Sequence, residues 1–166
     1  MSFHGGLLGV IIATYIFSKK NNINSFTFLD LISMSAPIGI FLGRIANFLN
    51  SELIGKETSL PWAVIFERID DLPRHPSQIY EAIFEGILLF LILNIFCKKY
   101  LSKSPGLVSS LFIIFYSIFR FCIEFTRMPD FQIGYLFLGL TMGQILSILF
   151  FIFGLTLLFK KKHEPY

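Results

Sequence analysis

Apolar residues fall in five blocks, roughly Phe3 to Phe17, Leu29 to Phe48, Gln78 to Phe96, Leu107 to Ile123 and Tyr135 to Phe159. A helix that crosses a bilayer needs about 17–25 residues, and the last four blocks supply them. At ~1.5 Å per residue the first is only about 22 Å long, so its N-terminal end with His4 is predicted to sit below the membrane surface. The pattern predicts an all-α integral membrane protein. It is read as a polytopic bundle of about five transmembrane helices, one domain over 1–166, with a small outer-face loop insertion at about 50–77.

The fourth block carries the most informative break in the pattern. LFIIFYSIFRFCIEFTRMPD (111–130) is apolar apart from a few positions, yet it holds Arg120, Glu124 and Arg127. An ionisable residue at a membrane helix centre costs at least ~2.5–3.5 kcal/mol and marks a site or a partner. Tyr116, Arg120 and Glu124 are spaced i, i+4, i+8, and Arg127 follows three residues on, which predicts one polar stripe on one helix.

Composition reinforces the membrane reading. Hydrophobic residues make up 54% of the chain and 21 of its 166 residues are Phe, more than a small soluble core could cover. The net charge of +3 is too small to point to nucleic acid, and its distribution says more. Lys19 and Lys20, then Lys98, Lys99 and Lys103, then Lys160 to Lys162 follow the first, third and fifth blocks. The loops between, at 50–77 and 126–134, mix a few cations with Glu52, Glu57, Glu67, Asp70, Asp71 and Asp130. By the positive-inside rule the lysine loops and the C-terminus are cytoplasmic, and His4 faces outward. His4, Arg44, Asn47, Glu52, His75, Glu81, Arg120, Glu124 and Arg127 then all map to the outer ends of helices or the outer loops. MSFHGGLLG has neither a basic n-region nor a cleavage site and does not read as a signal peptide. Cys97 and Cys122 lie in apolar stretches and read as buried structural thiols.

Candidate chemistry gathers at that outer end. In GRIANFLNSELIG, Arg44 and Asn47 share a helix face, below a kink expected at Pro37. Arg44 reads either as a snorkelling interfacial cation or as part of a polar constellation. Two arginines at one depth on separate helices suit an oxyanion, because guanidinium offers paired donors and stays charged when desolvated. The competing reading is that Glu52, Glu81 or Glu124 neutralises them. His4, beside Gly5 and Gly6, is either a packing residue or a base with open space around it. Pro76 suits a helix start from which Ser77, Glu81 and Glu85 line one face, and Glu85 needs a partner inside the bundle. His75 reads as an exposed loop residue. His4, His75 and His163 lack metal-ligand spacing, no metal is expected, and no nucleotide fingerprint is present.

Five strings in order carry a family resemblance: SFHGGLLG (2–9), GRIANFLNSELIG (43–55), RHPSQIYE (74–81), FRFCIEFTRMPD (119–130) and TMGQILS (141–147). Together they resemble the prolipoprotein diacylglyceryl transferases of bacteria. The resemblance implies a cofactor-free inner-membrane enzyme with its active site toward the outer face. Such an enzyme moves the diacylglyceryl group of phosphatidylglycerol onto the lipobox cysteine thiol of a prolipoprotein signal peptide, releasing glycerol phosphate. Carried over by position, it implies catalytic roles for His4, Arg44, Arg120 and Glu124. It implies phosphatidylglycerol contacts for Arg44, Asn47, Glu52, Gly55, Tyr116 and Arg120. Ala46 and Ser51 stand where the family usually has glycine. The family also carries about two helices ahead of the histidine motif, so the resemblance implies the C-terminal part of the enzyme.

Two other readings remain at this point. A truncated, inactive remnant would keep the fold and bind membrane lipid. A small transporter would need a polar path across the bilayer, for which the lysine-side halves offer only Thr14, Ser33, Asn94 and Thr156.

Overall fold

The computed structural model describes residues 3–100, 104–129, 134–136 and 139–162, with the backbone alone at 3–8, 11, 96, 97, 100, 161 and 162. Among the described residues the chain forms five helical runs: α1 (Phe3–Lys20), α2 (Ser25–Leu49), α3 (77–100), α4 (Leu107–Ile123) and α5 (Met142–Lys162). Ser25–Leu49, Ser77–Ile95 and Met142–Lys160 are long and apolar enough to cross a membrane, and Leu107–Ile123 is a shorter apolar helix. The architecture is that of a helical membrane protein, as the hydrophobic blocks predict.

Burial is inverted relative to a soluble bundle. Ile38, Leu42, Leu149, Phe150, Ile152 and Phe153 are exposed, while Asp30, Gln78, Glu81 and Glu85 are fully enclosed or nearly so. That is the sorting a hydrocarbon solvent imposes, since polar groups must find partners inside the protein. Met34, Leu89, Leu93 and Val108 form an apolar centre joining α2, α3 and α4.

Helix α3 is unusual in its winding. Ala82–Leu88 and Ile92–Cys97 adopt the wide i→i+5 form, separated by the α-helical turn Leu89–Leu91. The wider turn keeps a four-residue repeat on one face, so Gln78, Ala82 and Gly86 bury alongside Glu81, Glu85, Leu89 and Leu93. In α2, Pro37 lacks the N–H that would close its turn. Asn94 of α3 donates its Nδ2 to Met34 O at 3.2 Å within the same turn. Asp30 of α2 caps α4 from a distance. Its carboxylate accepts from Gly106 N, Ser109 N and Ser109 Oγ, each at 2.7 Å.

Two features depart from the hydrophobic pattern. The fifth helix begins at Met142 rather than Tyr135. Tyr135 instead bridges antiparallel to Thr141, with Gly139 between them at φ 73°, a left-handed turn that a helix cannot contain. The loop after α2 also has structure of its own. Strands β1 (Val64–Ile65) and β2 (Pro73–Arg74) pair antiparallel, Val64 opposite Arg74 and Ile65 opposite Pro73. Phe66 is buried edge-on against Phe48 of α2, centroids 5.8 Å apart, which seats the hairpin on the end of the bundle.

Candidate functional site

The charged residues at one end of the bundle converge on α3. Glu81 and Glu85 lie one turn apart and neither is exposed at all. Arg44 of α2 reaches Glu81 Oε2 with its Nε at 2.9 Å and Glu85 Oε2 with its Nη2 at 3.3 Å. Arg120 of α4 sets Nη1 against Glu81 Oε1 and, at 3.6 Å, Glu85 Oε1. Its Nη2 meets Glu124 Oε2 at 2.9 Å. Arg127 brings Nη1 to 3.3 Å from Glu81 Oε1. Glu81 thus joins arginines from three segments. Among the described residues the cluster holds three guanidinium groups and three carboxylates, and Arg44 is the most open of them at 18% side-chain exposure.

Glu124 is locked by the start of α5. It is the C-cap of α4, and its Oε1 accepts from Thr141 Oγ1 at 3.0 Å. Thr141 and Gln144 form a reciprocal capping box: Gln144 N donates to Thr141 Oγ1 at 3.3 Å and Thr141 N to Gln144 Oε1 at 3.0 Å. Gly143 lies directly on the carboxylate. A Cβ there would come within 2.6 Å of Glu124 Cδ. Only glycine lets α5 approach this closely.

The loop following α2 forms one wall. Gly55 bridges antiparallel to Arg127, Lys56 N donates to Thr126 O at 2.9 Å, and His75 N donates to Lys56 O at 2.9 Å. A Cβ on Gly55 would overlap the His75 carbonyl oxygen and sit 2.9 Å from Thr126 O. Ser77 Oγ donates to Leu53 O at 3.1 Å and Gln78 Nε2 to Glu52 O at 2.6 Å, tying the loop to α3. Arg74 anchors the hairpin through Asp70, with Nη2 at 2.6 Å from Oδ2, and packs near Gly55 O. This hydrogen bond to Arg74 holds the Asp70 carboxyl below its ordinary range.

Of the residues singled out by sequence, Arg44, Arg120 and Glu124 are brought together, and Tyr116 lies one turn from Arg120 with its ring stacked on Phe112 at 5.8 Å. Gly55 acts through its backbone. Asn47 is half-buried, and its carbonyl accepts from Glu52 N at 2.8 Å. His4 opens α1, but its side chain lies outside the described residues.

Four expectations change. Glu52 does not neutralise an arginine; its side chain is exposed, and it contributes its backbone. Arg127 is not on the stripe of α4, because the helix ends at Ile123 and the chain turns before Arg127 comes back to Glu81. His75 is half-buried, not exposed, with Nδ1 3.3 Å from Tyr80 Oη. Cys122 is exposed on α4 rather than buried, while the side chain of Cys97 lies outside the described residues. Glu81 and Glu124 are neutralising carboxylates of the kind the competing reading named, Glu85 finds the buried partner it needed, and Thr141 and Gly143 join the cluster although sequence had not singled them out for it. For Glu81 and Glu85 the shared helix face was the available signal.

The family model described as prolipoprotein diacylglyceryl transferase matches residues 1–160. A phosphatidylglycerol–prolipoprotein diacylglyceryl transferase of Methylococcus capsulatus is 50% identical over 159 residues, covering 95% of this chain and 60% of the relative. One of Rickettsia akari is 54% identical over 156 residues, covering 93% and 60%. One of Pseudomonas fluorescens is 48% identical over 169 residues, covering 99% and 62%. The chain therefore spans about 60% of the length of these relatives.

Proposed function

The chain belongs to the prolipoprotein diacylglyceryl transferase family, and we propose that it serves the transfer of a diacylglyceryl group from phosphatidylglycerol to the lipobox cysteine of prolipoproteins. The observation that carries this reading is the convergence of Arg44, Arg120 and Arg127 on Glu81 and Glu85 at one end of an apolar bundle. In the proposed setting, the bacterial inner membrane, that end faces outward and the C-terminus is cytoplasmic, in keeping with the lysine asymmetry.

The chemistry is a displacement at carbon. The lipobox sulfur forms a bond to the glyceryl carbon as the carbon–oxygen bond to phosphate breaks, and the electron pair leaves on the phosphate oxygen. The thiol proton goes to a base, the proposed role of His4, since thiolate is the competent nucleophile. The phosphodiester carries one negative charge and departs as glycerol phosphate with more. Guanidinium groups aimed at that oxygen therefore interact more strongly in the transition state than in the ground state. Arg44 and Arg120 are assigned this task, with Glu124 orienting Arg120. Asn47, Glu52, Gly55 and Tyr116 are assigned to the walls of the headgroup site.

The charge balance adds a mechanistic condition. With three carboxylates already on three guanidiniums among the described residues, an incoming phosphate would take a cation by displacing a carboxylate oxygen from it. Arg44, the most open arginine, is the natural point of exchange. The same balance favours a second reading, in which the cluster is purely structural and the chain binds lipid without turning it over.

The test is a gel-shift assay of a lipobox precursor in liposomes containing phosphatidylglycerol. It is run with this chain and with the chain joined to the part of a relative that it does not match. Modification abolished by His4→Ala and by Arg120→Ala supports transfer. No modification by either chain leaves the structural reading.

A further inference from the structure

The outer hairpin exposes apolar side chains that the transfer reaction does not use. Leu60 to Ala63 form a tight turn, with Ala63 N donating to Leu60 O at 3.0 Å and Pro61 fixing its second position. Trp62 stands at its tip, 56% exposed. Leu60 and Ile65 are exposed beside it, and Ile65 shares its ladder position with exposed Pro73.

This patch has a fixed position relative to the bilayer. Trp62 Nε1 donates to Tyr80 Oη at 2.7 Å, and Tyr80 lies in the first turn of α3. In the turns of α3 that follow Tyr80 come Ile83, Phe84 and Ile87, all exposed. These form the surface that a spanning helix presents to lipid. Trp62 therefore caps that stripe, and the hairpin patch continues the lipid-facing surface past the end of the helix. Tryptophan and tyrosine are the residues suited to this boundary, with an apolar body and a polar edge.

We propose that the outer hairpin carries a membrane-docking surface, centred on Trp62 with Leu60 and Ile65, that seats in the headgroup–acyl boundary of the bilayer crossed by its own helices. Docking fixes the depth of the loop that holds Gly55 against Arg127. The proposal does not depend on the transfer reaction.

Trp62 is the sole tryptophan of the chain, so its fluorescence reports this surface alone. The chain is reconstituted in phosphatidylcholine–phosphatidylglycerol liposomes and quenched in three ways. The quenchers are lipid nitroxides near the carbonyl end of the acyl chain, lipid nitroxides near its terminal methyl, and iodide loaded on both sides. A residue seated ~5–10 Å into the boundary should be quenched about twofold more by the shallow nitroxide than by the deep one, and weakly by iodide. Ile65→Asn with Leu60→Asn should raise iodide quenching and lower nitroxide quenching. Iodide quenching equal to that of a free indole, with none from lipid, would overturn the proposal. So would shielding from all three, which would mean that another protein surface, such as a second copy or a precursor segment, covers the patch.

Discussion

Glu81→Gln isolates the role of the central carboxylate, because it keeps the side chain's shape and removes its charge. Glu81 touches Arg44, Arg120 and Arg127, and its own side chain is fully buried. The three arginine side chains are 18%, 13% and 9% exposed, so water can repay little of what is lost. Among the described residues the substitution leaves three cations facing two carboxylates. Removing one partner from a buried ionic cluster costs about 3–5 kcal/mol, against less than ~1 kcal/mol for a surface pair. Reversible unfolding in mixed micelles, followed by circular dichroism, measures the difference. The double variant Glu81→Gln with Arg127→Gln restores two against two and should recover more than half of the loss. A single-variant loss below ~1 kcal/mol, or a double variant that loses the sum of both singles, would refute charge closure as the reason for the cluster.

Gly143→Ala places a methyl within 2.6 Å of the Glu124 carboxyl carbon and should cost about 1–3 kcal/mol in the same unfolding measurement, less in a Glu124→Ala background. Asp30→Ala removes three 2.7 Å hydrogen bonds that start α4 and should cost at least about 1.5–3 kcal/mol, with faster amide exchange at Gly106 and Ser109. Asp70 is held below its ordinary range by Arg74, so its contribution to the hairpin is complete above the unfolded pKa of ~3.9 and is lost as pH falls through the lower folded value. Protection of the His75 amide should fall in that acid window in the parent chain, and the step should vanish in Asp70→Asn. In a background with Cys97→Ser and Cys122→Ser, Asp71→Cys should react with an impermeant thiol reagent outside intact cells and His163→Cys should not; the reverse would invert the topology.

What the sequence made legible follows from how local each signal is. Helix existence depends on runs of apolar residues, and Leu107–Ile123 is recovered to the residue. The start of α5 was missed because YLFLGL is as apolar as a helix, although Thr141 and Gln144 carry a capping box that marks the true start. The meeting of Arg44 and Arg120 was foreseeable, since neither has a lysine cluster beside it and each needs an anion inside the bundle. The sequence offered Glu52, Glu81 and Glu124 for that anion without choosing between them. Glu81 becomes the hub because the α-helical start of α3, just before its wide winding, faces α2 and α4 at once, and that choice is tertiary. Arg127 shows the same limit, as its spacing fits the stripe while the chain has already left the helix.

The pinning of α4 shows how the protein itself could hold a charged end within an apolar layer. Seventeen residues at ~1.5 Å each give about 25 Å, short of the ~30 Å hydrocarbon core. A helix that short cannot place both ends in the headgroups unless the bilayer thins. Its ends must therefore be satisfied by protein, and both are. Asp30 accepts the first N–H groups at one end, and Glu124, capped by Thr141, terminates the other beside Arg120. Held at both ends, α4 has little freedom to slide. In the proposed setting the bilayer surrounds its charged end, where dielectric screening of Arg120 is weak and a guanidinium would act strongly on a phosphate. A longer α4 would carry Arg120 into water, where the same side chain is worth far less. The protein thus sets the surroundings of Arg120 from both ends of a short helix, which is what its proposed hold on a leaving group requires.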